Sequence, residues 1–185
     1  MQLQDHFLIA MPDLKDDYFT QTVIYICEHN QNGAMGLVLN CPTDLSIAEL
    51  VSKVNFMMKT DRTFNNDYVL AGGPTNVDRG FILHTPTTIE FQHSYKVSER
   101  LWLTTSVDVI ESLGTPNAPE KYLVSLGCAS WGENQLEQEI ANNDWLIVPS
   151  NEDILFDEPC NSRWEAANRL LGIRADNFAT KAGRA

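Results

Sequence analysis

Several features that mark common protein classes are missing from this 185-residue sequence. No stretch approaches the roughly 18 apolar residues of a membrane-spanning helix, and the N-terminus lacks the basic region that opens an export signal. The four cysteines form no CxxC pair and no zinc ligand set, so they are expected to be reduced thiols. We therefore expect a cytoplasmic protein without membrane association and without a metal site.

Positive charge is also scarce. Lys and Arg number 13 against 25 Asp and Glu, which gives a formal net charge of −12 and a pI near 4.6. Such an average field repels a phosphate backbone unless a local basic patch overrides it. The basic residues are scattered, and their one late accumulation, at Arg174, Lys181 and Arg184, lies in the tail. The charge balance argues against direct nucleic-acid binding.

Sequence motifs for cofactors and for hydrolases do not occur. Neither GxGxxG nor GxxxxGK(S/T) is present, so no nucleotide cofactor is predicted. Residues 127–132 contain Ser130 but do not have the G-x-S-x-G spacing of a nucleophile elbow. We predict no cofactor of any kind.

The composition, 43% hydrophobic and 21% charged residues, suits one globular domain over residues 1–185. The last dozen residues carry only Ile173 and Phe178 as apolar anchors, so the tail from about residue 173 is expected to be frayed.

Strand-forming patterns outnumber helical ones. The most pronounced is a hairpin in which a β-prone run at residues 22–29 returns at residues 34–40 through the turn Asn30-Gln31-Asn32-Gly33, since Asn-Gly is a dipeptide that closes hairpins. Hairpins mix with single helical crossings, and no regular βαβ repeat emerges. We therefore predict an α+β fold with a mixed, largely antiparallel sheet. Further strands are predicted at residues 6–11, 68–71, 79–84, 101–104, 122–126 and 145–148, and helices at 46–58, 106–113, between 132 and 142, and at 162–171.

Two of these helices have the pattern of a capping box at their start. Ser46 is followed by Glu49, and Ser162 is followed by Glu165. In each pair the serine hydroxyl and the glutamate carboxylate are expected to bond to each other's backbone N–H.

Residues 124–145 are predicted as strand, tight turn, helix and strand. The turn is framed by two glycines and carries Cys128, Ser130 and Trp131 close to a helix N-terminus. Backbone N–H groups at such an end favour negative charge, as in an oxyanion site. An ordinary structural turn has the same pattern, and a Cys128 that faces the sheet is an inert small hydrophobe, so both interpretations stay open.

A thiol, a carboxylate and an imidazole follow one another at Cys27, Glu28 and His29, just before Asn30. Alternation along a strand places Cys27 and His29 on the same face. Such a pair can act as nucleophile and base. Alternatively, Cys27 fills the core and His29 bonds to the hairpin loop.

Two features of the middle of the chain can bind a ligand or can be structural. Gly72-Gly73-Pro74 either holds the backbone close to a ligand or turns the chain. Arg79 can pair with an anionic substrate or with a carboxylate of the protein, and we favour the ion pair within the protein.

The helix after Gly132 carries polar side chains on both edges of its apolar stripe. Glu133 and Glu137 lie four residues apart along one edge, and Gln135 and Glu139 lie along the other. Paired carboxylates can perform acid–base or metal chemistry. No histidine at helical spacing joins them, so a solvated acidic face is favoured over a metal site.

Several short motifs are distributed over nearly the whole chain: Cys27-Glu28-His29-Asn30, Gly33-Ala34-Met35-Gly36-Leu37-Val38, Gly72-Gly73-Pro74, Arg79-Gly80-Phe81 with His84, Leu126-Gly127, Trp131-Gly132, Gln135-Leu136-Glu137 with Glu139-Ile140, and Arg163-Trp164. Taken together, these motifs resemble the YqgE/AlgH family of bacterial proteins. In that family position 128 is often aromatic and position 130 is often glycine, which weakens a catalytic role for Cys128 or Ser130.

The resemblance implies a compact α+β fold with a branched sheet and a small barrel-like core, and the helical patterns above predict about four flanking helices. It supplies no reaction, although some members carry the label of transcriptional regulator. The chain has no helix-turn-helix signature, which argues against direct DNA regulation. We predict a non-catalytic cytosolic protein that binds a protein partner or a small ligand and acts indirectly in regulation.

The alternative is a small hydrolase-like enzyme in which His29 or His84 works with a nearby carboxylate or thiol. For either function, polar groups from distant hairpins are expected to gather about the bend that precedes the acidic helix. The predicted members of this cluster are Glu28, His29, Asn30, Gly72, Gly73, Arg79, His84, Trp131, Gln135 and Glu137.

Overall fold

Strands dominate the secondary structure, and most of them pair antiparallel. The computed structural model describes residues 2–14, 16–54 and 67–172. Within these residues the elements in chain order are β1 (His6–Ala10), β2 (Val23–Asn30), β3 (Gly33–Val38), β4 (Pro42–Ser46), α1 (Ile47–Val54), β5 (Tyr68–Ala71), β6 (Thr75–His84), β7 (Ser94–Lys96), β8 (Trp102–Thr104), α2 (Asp108–Ser112), β9 (Tyr122–Trp131), α3 (Gln135–Ala141), β10 (Trp145–Pro149), a π-helical turn (Asp153–Asp157), a 3-10 turn (Cys160–Ser162) and α4 (Arg163–Leu170).

The chain divides into two compact units. Unit 1 comprises Met1–Cys41 and Ser130–Ala185, and unit 2 comprises Pro42–Ala129. The last two residues of β9 therefore belong to unit 1. A compact unit need not fold independently, so the single domain over residues 1–185 stays a prediction. The predicted frayed tail lies outside the described residues.

Unit 1 is built on four antiparallel strands in the order β10-β1-β2-β3. β1 and the first half of β2 are apolar on both faces, and Phe7 and Tyr25 are fully buried there. The start of α4 is attached to this unit by the buried side chain of Arg163. Its guanidinium donates to the carbonyl oxygens of Leu39 and Glu158, so a buried charged group is hydrogen-bonded inside the unit.

Unit 2 contains the antiparallel row β9-β6-β8-β7. A second row branches from β9, because β5 pairs parallel with β9 and antiparallel with β4. The prediction of an α+β fold with a mixed, largely antiparallel and branched sheet is confirmed. Helices α1 and α2 contribute to one apolar cluster in this unit, which includes Ile47, Val51, Val69, Ile82, Val109, Ile110 and Leu113.

One of the two predicted capping boxes is confirmed. The Ser46 backbone N–H donates to the Glu49 carboxylate at 2.9 Å, and the Glu49 N–H donates to the Ser46 hydroxyl at 3.2 Å. The other box is wrong, because Ser162 ends a 3-10 turn and its hydroxyl donates to the Pro159 carbonyl at 3.0 Å. Residues 55–58 of the predicted first helix lie outside the described residues.

The predicted tight turn at residues 127–132 is wrong. β9 continues through Gly127 to Trp131, and Thr75 of β6 still pairs with Cys128 beyond that glycine. Gly127 has a φ of +75°, so it accommodates a register shift within the strand without ending it. The turn into α3 comes later, at residues 132–134, and the thiol is not at a helix N-terminus.

Short strands without clear alternation were not predicted. β4 and β7 have five and three residues, and neither carries a run of buried apolar side chains. β6 begins at Thr75, earlier than predicted. Its first six residues are mostly exposed and polar, so they give no pattern of a buried strand. Pairing with neighbouring strands, rather than local pattern, defines all three.

Candidate functional site

The ten predicted site residues divide between the two units. Those in unit 1 are Glu28, His29, Asn30, Trp131, Gln135 and Glu137, and those in unit 2 are Gly72, Gly73, Arg79 and His84.

A β-bulge lies at the end of β2, where Ile26 pairs with Gly36 but Glu28 pairs with Met35. The extra residue is Cys27, so the regular alternation on which the Cys27–His29 pair was predicted is interrupted. Cys27 is fully buried, and its Sγ lies 3.8 Å from the Tyr25 carbonyl. These surroundings are those of a small core side chain.

His29 connects three segments of unit 1. Its Nε2 lies 2.8 Å from Oε1 of Glu137 on α3, and its Nδ1 accepts a hydrogen bond of 3.3 Å from the Leu3 backbone N–H. Because Nδ1 is an acceptor, the proton of the neutral ring is on Nε2, which donates to the carboxylate. The side chain of His29 is only 6% exposed, against 46% for Glu137.

The carboxylate of Glu137 is stabilised in its charged form. Its own backbone N–H and then the His29 ring hold the pKa of the Glu137 carboxyl below its usual value. The pair has the imidazole–carboxylate composition that a catalytic base requires. Both ring nitrogens of His29 are nevertheless occupied, one by the carboxylate and one by backbone.

The hairpin tip is organised by its own polar side chains. The amide of Asn30 donates to the Glu28 carboxylate at 2.7 Å, and its oxygen accepts from the Asn32 N–H at 2.8 Å. The predicted turn over residues 30–33 is confirmed, because Asn30 pairs with Gly33 and the two loop residues between them are Gln31 and Asn32. The adjoining cavity has a volume of about 180 Å³. Cavities that bind small molecules usually measure roughly 300–1,000 Å³.

Gly33 is required by the backbone of β9. It has a φ of +134°, and a Cβ at this position would lie 2.0 Å from the Trp131 carbonyl oxygen. Any other residue would be strained and would displace this strand.

The role of Glu139 on α3 as the acceptor for two indoles was missed by sequence reasoning, which placed it only on an edge of the helix. Its Oε2 accepts hydrogen bonds of 2.8 Å from the indole N–H groups of both Trp131 and Trp145. Its Oε1 accepts from the Gln135 amide at 3.0 Å, and the Gln135 oxygen accepts from the Gly132 N–H at the same distance. Both indoles are buried, and a buried indole N–H needs an acceptor. The two tryptophans on either side of the acidic helix were the available signal.

In unit 2, Gly72 and Gly73 allow two strands to approach closely. The Gly72 N–H donates to the Leu126 carbonyl at 2.8 Å. A Cβ on Gly73 would lie 2.1 Å from the Cys128 carbonyl carbon. The atoms that exclude a side chain here belong to β9, which supports the structural interpretation of these glycines.

Arg79 makes neutral contacts. Its Nη2 donates to the Thr105 hydroxyl at 3.3 Å, and its guanidinium carbon lies 5.7 Å from the centre of the Phe81 ring. No carboxylate of residues 2–14, 16–54 and 67–172 forms an ion pair with it. The favoured ion pair within the protein is therefore not found in the described part of the chain.

His84, at the end of β6, lines the cavity of unit 2. The cavity has a volume of about 370 Å³, which falls within the range of small-molecule sites. The ring of Phe91 meets the His84 imidazole edge to face, with centres 5.6 Å apart. The lining residues are His84, Pro86, Thr87, Ile89, Glu90, Phe91, Gln92, Ser94 and Trp102.

A chain of hydrogen bonds leads from His84 to the cavity. Nδ1 lies 2.8 Å from the Thr85 carbonyl, and Nε2 lies 2.7 Å from the hydroxyl of Thr104. The same hydroxyl lies 2.7 Å from that of Ser94, which lines the cavity. Burial lowers the pKa of the His84 imidazole below its ordinary value, which favours the neutral ring.

The carbonyl of Thr85 determines which atom donates in each of these hydrogen bonds. A carbonyl oxygen can only accept, so Nδ1 of His84 carries the proton and Nε2 is an acceptor. The hydroxyl of Thr104 must then donate to Nε2, and its oxygen accepts from the hydroxyl of Ser94. We call these three side chains, His84, Thr104 and Ser94, the relay.

Neither Cys128 nor Ser130 lies at the helix N-terminus that would have made it a candidate for an oxyanion site. Cys128 is 1% exposed, and its Sγ lies 3.3 Å from the hydroxyl of Thr75 and 3.7 Å from the Asn76 amide. Ser130, in contrast, is exposed. The buried thiol corresponds to the inert interpretation.

A family model described as AlgH-like, DUF179, matches residues 7–176 of the chain. The chain belongs to the AlgH-like family. The predicted resemblance to the YqgE/AlgH family is thereby confirmed. A UPF0301 protein of Pasteurella multocida is 69% identical over 183 residues, covering 99% of this chain and 98% of that protein. A UPF0301 protein of Mannheimia succiniciproducens is 63% identical and covers 99% of both chains.

Two solved structures resemble this AlgH-like chain. The solution structure of the AlgH protein from Pseudomonas aeruginosa has a TM-score of 0.79 and 40% sequence identity, covering 100% of this chain and 97% of that one. The crystal structure of a Corynebacterium diphtheriae protein has a TM-score of 0.73 at 21% identity, covering 91% and 87% of the two chains. The second likeness concerns the fold alone.

Two kinds of feature are missing from the part of this AlgH-like chain that the structure describes. No helix there is both long and apolar enough to cross a membrane. No group of three or more His, Cys, Asp or Glu side chains there is arranged to hold a metal ion.

Proposed function

We propose that this chain is a non-catalytic protein that binds a small ligand in the cavity of unit 2. The observation that carries this proposal is the relay, which ends at Ser94 in the wall of a cavity of about 370 Å³. Ligand sites combine apolar and aromatic walls with a few fixed polar groups. Phe91, Trp102 and Ile89 supply such walls here, and the relay fixes the orientation of one polar group.

The polar groups of unit 1 are bonded within the protein, which also favours unit 2 as the place of ligand binding. Glu139 is bonded to two indoles and one amide, and His29 is bonded to Glu137 and to backbone. These groups are occupied within the protein, and the adjoining cavity is about half the volume of the one in unit 2. They stabilise the unit and leave ligand binding to unit 2.

One observation favours the hydrolase alternative. The hydroxyl of Thr104 donates to an unprotonated ring nitrogen of His84, which is the relation between a nucleophile and its base. Thr104 is fully buried and does not line the cavity, however, and the other nitrogen of His84 is bonded to a carbonyl rather than to a carboxylate. These contacts favour binding over catalysis.

A regulatory role, which the family resemblance suggests, would be indirect. The net charge of −12 opposes association with a phosphate backbone. We propose that occupancy of the cavity, rather than contact with DNA, is what such regulation would sense, in a cytoplasmic protein.

The test is the melting temperature of the full chain with indole or quinoline in excess. A ligand that binds only the folded protein raises the melting temperature, and the rise grows with the logarithm of the free ligand concentration once the site is largely occupied. We expect at least one of the two compounds to do so, and the cavity-filling variant Ser94→Phe to abolish the rise. Val107→Phe is the matched control, since Val107 is 53% exposed and does not line the cavity. No rise with either compound, or a rise that Ser94→Phe retains, would refute the proposal.

A further inference from the structure

We infer that the ligand of unit 2 is a neutral or cationic aromatic compound that presents an N–H or O–H donor to the oxygen of Ser94. The inference rests on the proposed function and specifies the chemistry of the same cavity. It follows from the direction of the relay and from the groups that surround it.

Ser94 is available to a ligand only as an acceptor. Its one hydroxyl proton is donated to Thr104, because the proton of Thr104 is donated to Nε2 of His84. The lone pairs of the Ser94 oxygen remain. A ligand acceptor placed against this oxygen would face another acceptor, which is repulsive and leaves both groups unsatisfied.

Two neighbouring polar groups of the cavity, on Thr87 and Glu90, are also hydrogen-bond acceptors. The hydroxyl of Thr87 donates to the Ile89 carbonyl at 2.6 Å, so its oxygen too is left as an acceptor. Glu90 adds a carboxylate to the wall. With a net charge of −12 on the whole chain, an anionic ligand is disfavoured and a neutral or cationic one is accepted.

The apolar part of the cavity fits an aromatic body. Phe91 is 6% exposed and is held edge to face against His84, while Trp102 contributes a second aromatic wall. The Trp102 indole and the Gln92 amide can donate, so the ligand can carry an acceptor elsewhere on its ring. Only the position against Ser94 is fixed as a donor.

The experiment compares indole, a donor, with quinoline, an acceptor of similar shape, by isothermal titration calorimetry at neutral pH on the full chain. In the unaltered protein we expect indole to bind roughly threefold to tenfold more tightly, the value of one hydrogen bond. Thr104→Val frees the Ser94 proton, so the preference should fall towards unity. Ser94→Ala should also abolish it.

Thr104→Ser is the matched control, because it keeps the hydroxyl and with it the direction of the relay. We expect this variant to retain the preference for indole, and Ser94→Ala keeps the test decisive if Thr104→Val does not fold. Equal or tighter binding of quinoline by the unaltered protein would overturn the inference while leaving the proposed function intact. A preference that persists in Ser94→Ala would overturn it as well. If neither compound binds, the proposed function itself fails.

Discussion

The two histidines that sequence reasoning treated as equivalent, His29 in unit 1 and His84 in unit 2, are held as opposite tautomers. His29 accepts at Nδ1 from backbone and donates at Nε2 to the Glu137 carboxylate. His84 donates at Nδ1 to a carbonyl and accepts at Nε2 from the hydroxyl of Thr104. The first ring ties segments of one unit together, whereas the second determines which way a hydroxyl at a cavity points.

A histidine beside a carboxylate is therefore not by itself the better functional candidate. What matters is where the hydrogen-bonded chain ends. In unit 1 the bonds of His29 end on backbone and on a structural helix, so substitutions should change stability. In unit 2 the relay ends at a cavity, so substitutions should also change ligand binding.

The largest expected effect is that of Glu139→Ala in unit 1. The substitution leaves the buried indole N–H groups of Trp131 and Trp145 without their acceptor, which should cost about 2–4 kcal/mol of unfolding free energy. Urea unfolding followed by tryptophan fluorescence measures it. Glu133→Ala is the control, since Glu133 is exposed and should change stability by less than about 0.5 kcal/mol. An equal cost for both would show that the indoles do not depend on Glu139.

The next largest effect is expected for Thr104→Val in unit 2, which removes the central hydroxyl of the relay. Nε2 of His84 loses its donor and Ser94 loses its acceptor, so we expect a cost of about 1–2 kcal/mol in urea unfolding. Thr105→Val serves as a control beside it, because Thr105 is half-buried and its hydroxyl, within the described residues, takes part only in the longer hydrogen bond of 3.3 Å from Arg79. A cost for Thr104→Val no greater than that of the control would contradict the relay.

The pH dependence of stability should depend on His84. Its pKa is lowered in the folded protein by burial, so the folded state binds its proton less readily than the unfolded state does. The stability that depends on a neutral His84 is fully present above the pKa of the unfolded state, about 6.5, and is lost as the pH falls through the lower pKa of the folded state. We expect urea midpoints to decline over this window and His84→Gln to flatten the decline. An unchanged slope in His84→Gln would assign the dependence to other groups.

The smallest effect is expected for Glu137→Gln. The pKa of Glu137 is lowered in the folded protein, so its contribution is present at neutral pH and is lost as the pH falls through that lowered value. The side chain is 46% exposed and solvent screens the pair, so the loss should be below about 1 kcal/mol. Indole affinity should not change. A change in affinity with unchanged stability would place the functional group in unit 1 instead.

Local sequence patterns predicted the parts of the fold in which local chemistry decides the structure. The hairpin of β2 and β3 follows from a β-prone run with an Asn/Gly turn, and the Ser46–Glu49 box follows from residues three apart. The course of β9 through Gly127 could not be predicted in this way, because it depends on the pairing of Thr75 with Cys128, which are 53 positions apart in the sequence.

The candidate site was predicted in part for the same reason. His84 was identified, but its partners Thr104 and Ser94 are ordinary hydroxyl residues on two short strands, and one of those strands was not predicted. Glu139 was placed on the correct helix edge without its indole partners. Sequence pattern identifies residue types, whereas the direction of a hydrogen bond depends on which groups the sheet brings together.

The most direct test is a map of backbone amide chemical shifts of the full chain as indole is added. We predict that the changes concentrate in residues 84–94 and 102–104, and that His29 and residues 131–139 remain unaffected. Changes concentrated at the hairpin tip and α3 would contradict the assignment of ligand binding to unit 2, as would the absence of any change at saturating indole.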